Sequence, residues 1–227
     1  MKTDSGQRIA EKIFQIVDLK GKKVLEVGCG NGRISSLLAS KTEQFIAVDP
    51  DQLKIEEAKS RDVSVEYYVG SGENLVFSDK VFDVIVFTLS LHHQNSQQAL
   101  NEAKRVLKKS GVILVIEPTV EGEIEKLFSL LVNEDQAKLN TQKAIDNSGL
   151  KIEQSQYFTA KWFFDNIEDL KKSPFDYYEM KFDIQVAEKI IGLVGEKVSS
   201  NPIVIEDLMI IQSLSDPERT IHGHPVP

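Results

Sequence analysis

A chain of 227 residues, 41% hydrophobic and 27% charged, is long enough for one sizeable α/β core and short for two full domains. Its 27 basic and 35 acidic residues leave a net charge of −8, and so acidic a surface repels phosphate backbones, which argues against nucleic acid as a general partner. The one cysteine, Cys29, rules out an intramolecular disulfide and a cysteine-built zinc site. The opening MKTDSGQRIAEKIF has no apolar run of the secretory kind, and no stretch approaches the roughly 20 apolar residues of a membrane span. A cytoplasmic protein without membrane contact is expected.

The first half alternates between two periods. Residues 23–28 (KVLEVG) form a short apolar run, the pattern of a strand covered on both faces. Residues 45–49, 65–69, 82–89 and 112–117 repeat it. Helical stretches lie between, most clearly 97–109, where Ala99, Leu100, Ala103, Val106 and Leu107 make one apolar stripe. Ser110-Gly111 reads as the stop of that helix. Strand alternating with helix predicts βαβ units in a doubly wound, mostly parallel sheet. After Pro118 the order changes. Residues 121–147 have a helical pattern, 150–164 an extended one, and 165–200 are too long for a plain loop and should carry helix, with helical spacing at 183–198. The last run, 203–214, follows no βαβ pattern and is expected to lie antiparallel beside 150–160. The tail 219–227 carries His222 and His224, which read as solvated, so no metal site is expected.

The strongest local signal is VLEVGCGNG at 24–32. A strand runs into Gly28, Gly30 and Gly32, and a helical pattern follows. Gly28 permits a sharp turn, Gly30 lets a ligand approach the backbone, and Gly32 allows close packing of the helix start. The spacing is G-x-G-x-G, and Arg33 stands where a dinucleotide fingerprint would have its third glycine. This argues against a nicotinamide-dependent oxidoreductase. Asp49 closes the second strand beside the loop, where a carboxylate can accept hydrogen bonds from two ribose hydroxyls, while Asp51 is free to cap the next helix. Together they indicate a nucleoside-containing ligand.

Four segments in order resemble the class I methyltransferases, specifically the small-molecule group related to the quinone-biosynthesis enzymes. They are VLEVGCGNGRISSLLA, FIAVDPDQLKIEEAK, VGSGENLVFSDKVFDVIVFTLSLHHQ and ALNEAKRVLKKSGVILVIEP, covering roughly residues 22–118. The resemblance implies S-adenosyl-L-methionine as cofactor, a Rossmann-like sheet of seven strands and transfer of a methyl group to a small molecule. It places Glu26 near the ammonium group of the cofactor and Gly28, Cys29, Gly30 and Gly32 along its methionine end. Asp49 and Pro50 fall at the ribose, Ser71, Gly72 and Glu73 at the adenine edge, and Leu89 beside the sulfonium methyl. Ser71 departs from the family, which often has an aspartate there to accept from the adenine amino group. Beyond residue 118 the resemblance is architectural, so the chain reads as one domain over 1–218. Its cofactor half is 22–118, and its substrate-side half is 119–218 with a lid-like 165–200.

Methyl transfer from a sulfonium mainly needs alignment, and a general base is useful without being obligatory. His92 and His93 after the fourth strand, and Glu117 at the end of the fifth, are the candidate bases. Nine of the chain's aromatic residues lie between Tyr157 and Phe182. Phe175, Tyr177, Tyr178 and Phe182 among them are expected to form a lid that, with the helix around Ile9 to Val17, closes over the methyl donor. A cofactor-binding protein without transfer activity is the remaining rival, because its first half would look the same.

Overall fold

The computed structural model describes residues 1–218. The tail, with His222 and His224, lies outside the described residues.

In chain order, β1 (Lys2–Thr3) leads into α1 (Ser5–Ile16), then β2 (Lys23–Val27), α2 (Ser35–Ala39), β3 (Gln44–Asp49), α3 (Gln52–Arg61) and β4 (Glu66–Val69). The chain continues through β5 (Phe82–Thr88), a 3₁₀ turn at Leu91–His93, α4 (Ser96–Val106), β6 (Leu107–Pro118), α5 (Glu123–Phe128) and α6 (Asp135–Asn147). It ends with β7 (Lys151–Phe164), α7 (Ile167–Tyr177), α8 (Ile184–Val194), a 3₁₀ turn at Gly195–Ser199, and β8 (Ile203–Ser215). The strand order is β1-β7-β8-β6-β5-β2-β3-β4. Strands β2 to β6 are mutually parallel, whereas β8 runs antiparallel between β6 and β7.

The continuous apolar runs are explained by burial on both faces. Val24, Val84, Val86, Leu114 and Ile116 enter a core with Ile9 and Ile13 of α1, while Leu25, Ile85, Phe87, Ile113 and Val115 enter a second core with Leu100 and Ala103 of α4. Adjacent residues of one strand thus serve opposite layers. A third cluster joins Phe128, Trp162, Phe164, Leu170, Phe175, Ile190 and Ile203, from α5, β7, α7, α8 and β8.

The sheet has eight strands, one more than expected, because Lys2 and Thr3 pair with Phe163 and Trp162 of β7. The helix read as 97–109 ends at Val106, and Ser110-Gly111 is not its stop. Leu107 already pairs with Phe82, and the next partner pair is Val84 with Val112, so residues 108–111 are looped out of the ladder. A Cβ on Gly111 would come within 2.6 Å of the Leu107 side chain and 2.9 Å of the Lys108 carbonyl, which is why a glycine closes that loop. Ile9 and Ile13 are fully buried, so the apolar face of α1 belongs to the core.

Candidate functional site

The parallel strands reverse their order between β2, flanked by β3, and β5, flanked by β6. Ligands bind outside the carboxyl ends of strands at such a switch point, and the loops after β2 and β5 meet there. Gly28 has φ +78°, and a Cβ on it would stand 2.4 Å from the Cβ of Ser90, so the two loops touch at a position open only to glycine. Gly30, at φ +53°, would carry its Cβ into open space with no heavy atom within 4 Å. Gly32 packs differently from expectation. Its Cβ would strike the Tyr67 hydroxyl at 2.4 Å, so it makes room for β4, and α2 begins only at Ser35. Leu89, just after β5, holds φ +56°, a left-handed conformation costly for a leucine, and its N–H donates to the Ile116 carbonyl at 2.9 Å.

Asp49 is buried at the end of β3. Its Oδ2 accepts from the Gly30 N–H at 2.7 Å and its Oδ1 from the Asp51 N–H at 3.0 Å. Asp51 caps α3 by accepting from Leu53 and Lys54 N–H groups. The carboxylate therefore fixes the glycine loop and keeps further acceptor capacity toward the crevice.

A cavity of about 940 Å³ opens at this point. Gly28, Cys29, Gly30, Asp49, Pro50, Ser71, Gly72, Leu89 and His93 border it, while Glu26, Gly32, Glu73, His92 and Glu117 do not. Glu26 lies fully buried behind the loop, where Ser35 and Thr88 hydroxyls both donate to it at 2.5 Å. Burial pushes its carboxyl up to about 7, against the pull of those two hydroxyls. Burial also raises the Cys29 thiol, with Glu26 and Asp49 adding to it, so the group stays protonated. Glu73 is exposed and accepts from the Asn95 N–H at 2.6 Å.

His92 and Glu117 form a buried pair that fastens the 3₁₀ turn. Glu117 Oε1 accepts from the backbone N–H groups of Leu91 and His92 at 2.9 and 3.3 Å, and its Oε2 meets His92 Nδ1. Burial works against a charge on His92, but the carboxylates of Glu117 and then Glu134 raise its basicity above the ordinary imidazole range. His93 is the exposed member, 3.5 Å from Glu134 through Nδ1, and partial burial and the neighbouring His92 lower its basicity. His92, His93 and Glu134 bring three possible ligand atoms within 4.8 Å of one another, yet Lys138 already presents its ammonium 3.9 Å from Glu134.

Across the cavity stand residues that sequence patterning did not single out as site residues: Thr3, Ser5, Arg33, Trp162 and Asp207, together with Tyr177 of the proposed lid. Of the other lid aromatics, Phe175 is a buried core residue and Phe182 is exposed. Asp207 had a signal in the sequence. The buried phase of β8 is Ile203, Ile205, Asp207, Met209, Ile211, and an acid in that register is out of keeping with its neighbours.

Residues 25–115 match a family described as a methyltransferase domain. Demethylmenaquinone methyltransferase of Thermotoga maritima is 29% identical over 135 residues, covering 57% of this chain and 58% of that protein. A probable S-adenosylmethionine-dependent methyltransferase of Mycobacterium tuberculosis is 35% identical over 98 residues, covering 43% and 36%. The chain thus spans less than two thirds of either curated relative. The YcgJ protein of Bacillus subtilis superposes with a TM-score of 0.69 at 19% identity, covering 92% of this chain and 98% of that one, a likeness of fold. With its glycine loop and its acid after the second parallel strand, the segment 25–115 is similar to the methyltransferase domain family and to S-adenosylmethionine-dependent methyltransferases over that stretch.

Proposed function

We propose that the protein transfers the methyl group of S-adenosylmethionine to a small molecule held in the 940 Å³ cavity. The observation that carries this reading is that one cavity has two unlike walls. Part of its lining is the glycine loop with Asp49 and the nearby Arg33, and part is Trp162, Tyr177 and Asp207, which lie outside the matched domain. The residues present fit the cofactor. Open space at Gly30 lets a ligand lie against the backbone, and Asp49 offers a charged acceptor for ribose hydroxyls. Ser71 and Gly72 border the cavity where the resemblance puts adenine, although Ser71 Oγ also accepts from the Glu73 N–H at 3.2 Å.

When bound, the sulfonium supplies an activated methyl group. The work left to the chain is to align the acceptor and keep water out. Leu89, fixed by its hydrogen bond to β6, gives a rigid wall beside the glycine loop. Of the three candidate bases only His93 borders the cavity, while His92 and Glu117 are engaged in holding the turn beneath it. Glu26 supports the loop from behind through Ser35 and Thr88, and acts on a ligand through the field it sets up.

Calorimetry with S-adenosylmethionine, S-adenosylhomocysteine and NAD tests this reading. The first two are expected to bind and NAD is not. Asp49→Ala should weaken S-adenosylhomocysteine by about 1.5–3 kcal/mol, roughly ten- to a hundredfold. Binding of NAD in place of the sulfonium nucleotide, or a folded Asp49→Ala variant of unchanged affinity, overturns it.

A further inference from the structure

Asp207 is 3% exposed, and a charge taken out of water is costly unless it is paired. Its Oδ2 accepts from Trp162 Nε1 at 3.2 Å, but its Oδ1, equally buried, has no hydrogen-bond partner among the described residues. The register accounts for the first contact. Ala160 of β7 pairs with Asp207 of β8, so Trp162 is its diagonal neighbour on the same face. Both residues border the cavity, as does Tyr177, whose ring meets that of Trp162 edge-on with centroids 5.7 Å apart.

We propose that Asp207, Trp162 and Tyr177 form the acceptor subsite of the cavity, and that the acceptor is an amine donating N–H to Asp207 Oδ1 with its cationic head against the two rings. This rests on the methyl-transfer reading and gives it a substrate class. Two features select an amine over an alcohol or an acid. The first is the field. The carboxylates of Glu125 and Glu134 reach the same region, and Lys138, paired with Glu125 and 3.9 Å from Glu134, offsets part of the charge. With the Arg33 guanidinium near Tyr177 counted in, a negative excess remains that repels an anion and is left uncompensated by a neutral alcohol. The second is the pair of rings, since indole and phenol faces attract a cation placed within about 6 Å. Burial and then Glu125 push the Asp207 carboxyl up to about 7. Near neutrality it can therefore accept a proton from a bound ammonium ion. The N–H bond breaks, the O–H bond forms, and the amine keeps the electron pair; with the sulfonium nucleotide bound, that pair would form the N–C bond as the C–S bond breaks and its electrons leave on sulfur as the neutral thioether.

Trp162 is the chain's one tryptophan, so its emission reports this subsite. The experiment titrates the full chain, with and without S-adenosylhomocysteine, using benzylamine, benzyl alcohol and benzoate, three probes that share one ring. Benzylamine should shift Trp162 emission at millimolar concentration or below, benzyl alcohol should bind about tenfold more weakly, and benzoate should have no effect. Asp207→Asn keeps an oxygen for Trp162 Nε1 and removes the charged acceptor. It should weaken benzylamine by about ten- to a hundredfold and leave S-adenosylhomocysteine unchanged. Should that variant not fold, Tyr177→Leu, at a half-exposed position, is expected to weaken the amine about two- to fivefold. Equal binding of amine and alcohol, no response to benzylamine, or full amine affinity in Asp207→Asn overturns the subsite. Failure of S-adenosylhomocysteine to bind while benzylamine does would instead count against the methyl-transfer reading.

Discussion

Four carboxylates are buried among the described residues, three on the cofactor side and one across the cavity. Glu26 has two hydroxyl donors, Asp49 two backbone N–H groups, and Glu117 two backbone N–H groups and an imidazole. Asp207 has one indole donor and one free oxygen. The cofactor side is a frame whose buried charges are already answered by the protein, so it is shaped before any ligand arrives. The facing wall leaves one acceptor for a guest. A preorganised half and a half that the ligand completes divide the work of binding and of selection.

The frame breaks most severely at Gly28. Gly28→Ala combines a left-handed conformation with a Cβ 2.4 Å from Ser90, and is expected to destabilise the fold by about 2–5 kcal/mol in urea denaturation. A loss well under 1 kcal/mol would show that the two loops are not rigidly joined. Glu26 gives the next effect. Its carboxyl is raised from the ordinary 4.5 to about 7, so between those pH values the native state holds a proton that the unfolded chain has released. This contribution is complete below about pH 4.5, falls as pH rises, and is lost above about pH 7, for a total of about 3 kcal/mol. Glu26→Gln should flatten the fall in stability between about pH 4.5 and about pH 7, measured by denaturation at each pH. An unchanged slope would assign the fall to other groups, Asp207 first, since its shift has the same sign. The smallest effect on folding is expected at Gly30. Gly30→Ala should cost only about 1–2 kcal/mol of stability, the strain of a left-handed φ of +53°, since nothing meets the new methyl group. Its effect should appear in S-adenosylhomocysteine affinity, measured by calorimetry, and a variant binding as tightly as wild type would move the ligand away from the loop.

Strands β2, β3 and β5 were legible because both faces are buried and their residues are mostly apolar, with Glu26 and Asp83 the acids that interrupt β2 and β5. The glycine loop was legible because a turn between strand and helix needs backbone angles that few other residues adopt. The end of α4 was not, because Val106 and Leu107 continue the helical stripe while Leu107 is claimed by its pairing with Phe82. Tertiary pairing overrode the local period. Strand β1 is two residues long, too short to show any period, and owes its form to Trp162 and Phe163. In the site, Asp49 and the loop could be read from type and spacing. The division of His92 from His93 could not, since which ring turns inward is decided by Glu117, far along the chain. Asp207 was not legible because Glu206 and Asp207 stand side by side, and which of the two acids turns inward is open until the phase of the strand is known.

The place of β8 in the sheet sets an order of events during synthesis. Strands β2 to β6 leave the ribosome in sequence and can pair among themselves, so the glycine loop and Asp49 can be in position early. Strand β7 emerges with only the two-residue β1 as a neighbour, and its long partner β8 is the last strand among the described residues. Trp162 therefore waits for Asp207. A nascent chain halted ahead of Ile203 would carry the glycine loop, Trp162 and Tyr177 but lack Asp207, and it would leave the free edges of β6 and β7 open to whatever strand or chaperone meets them first.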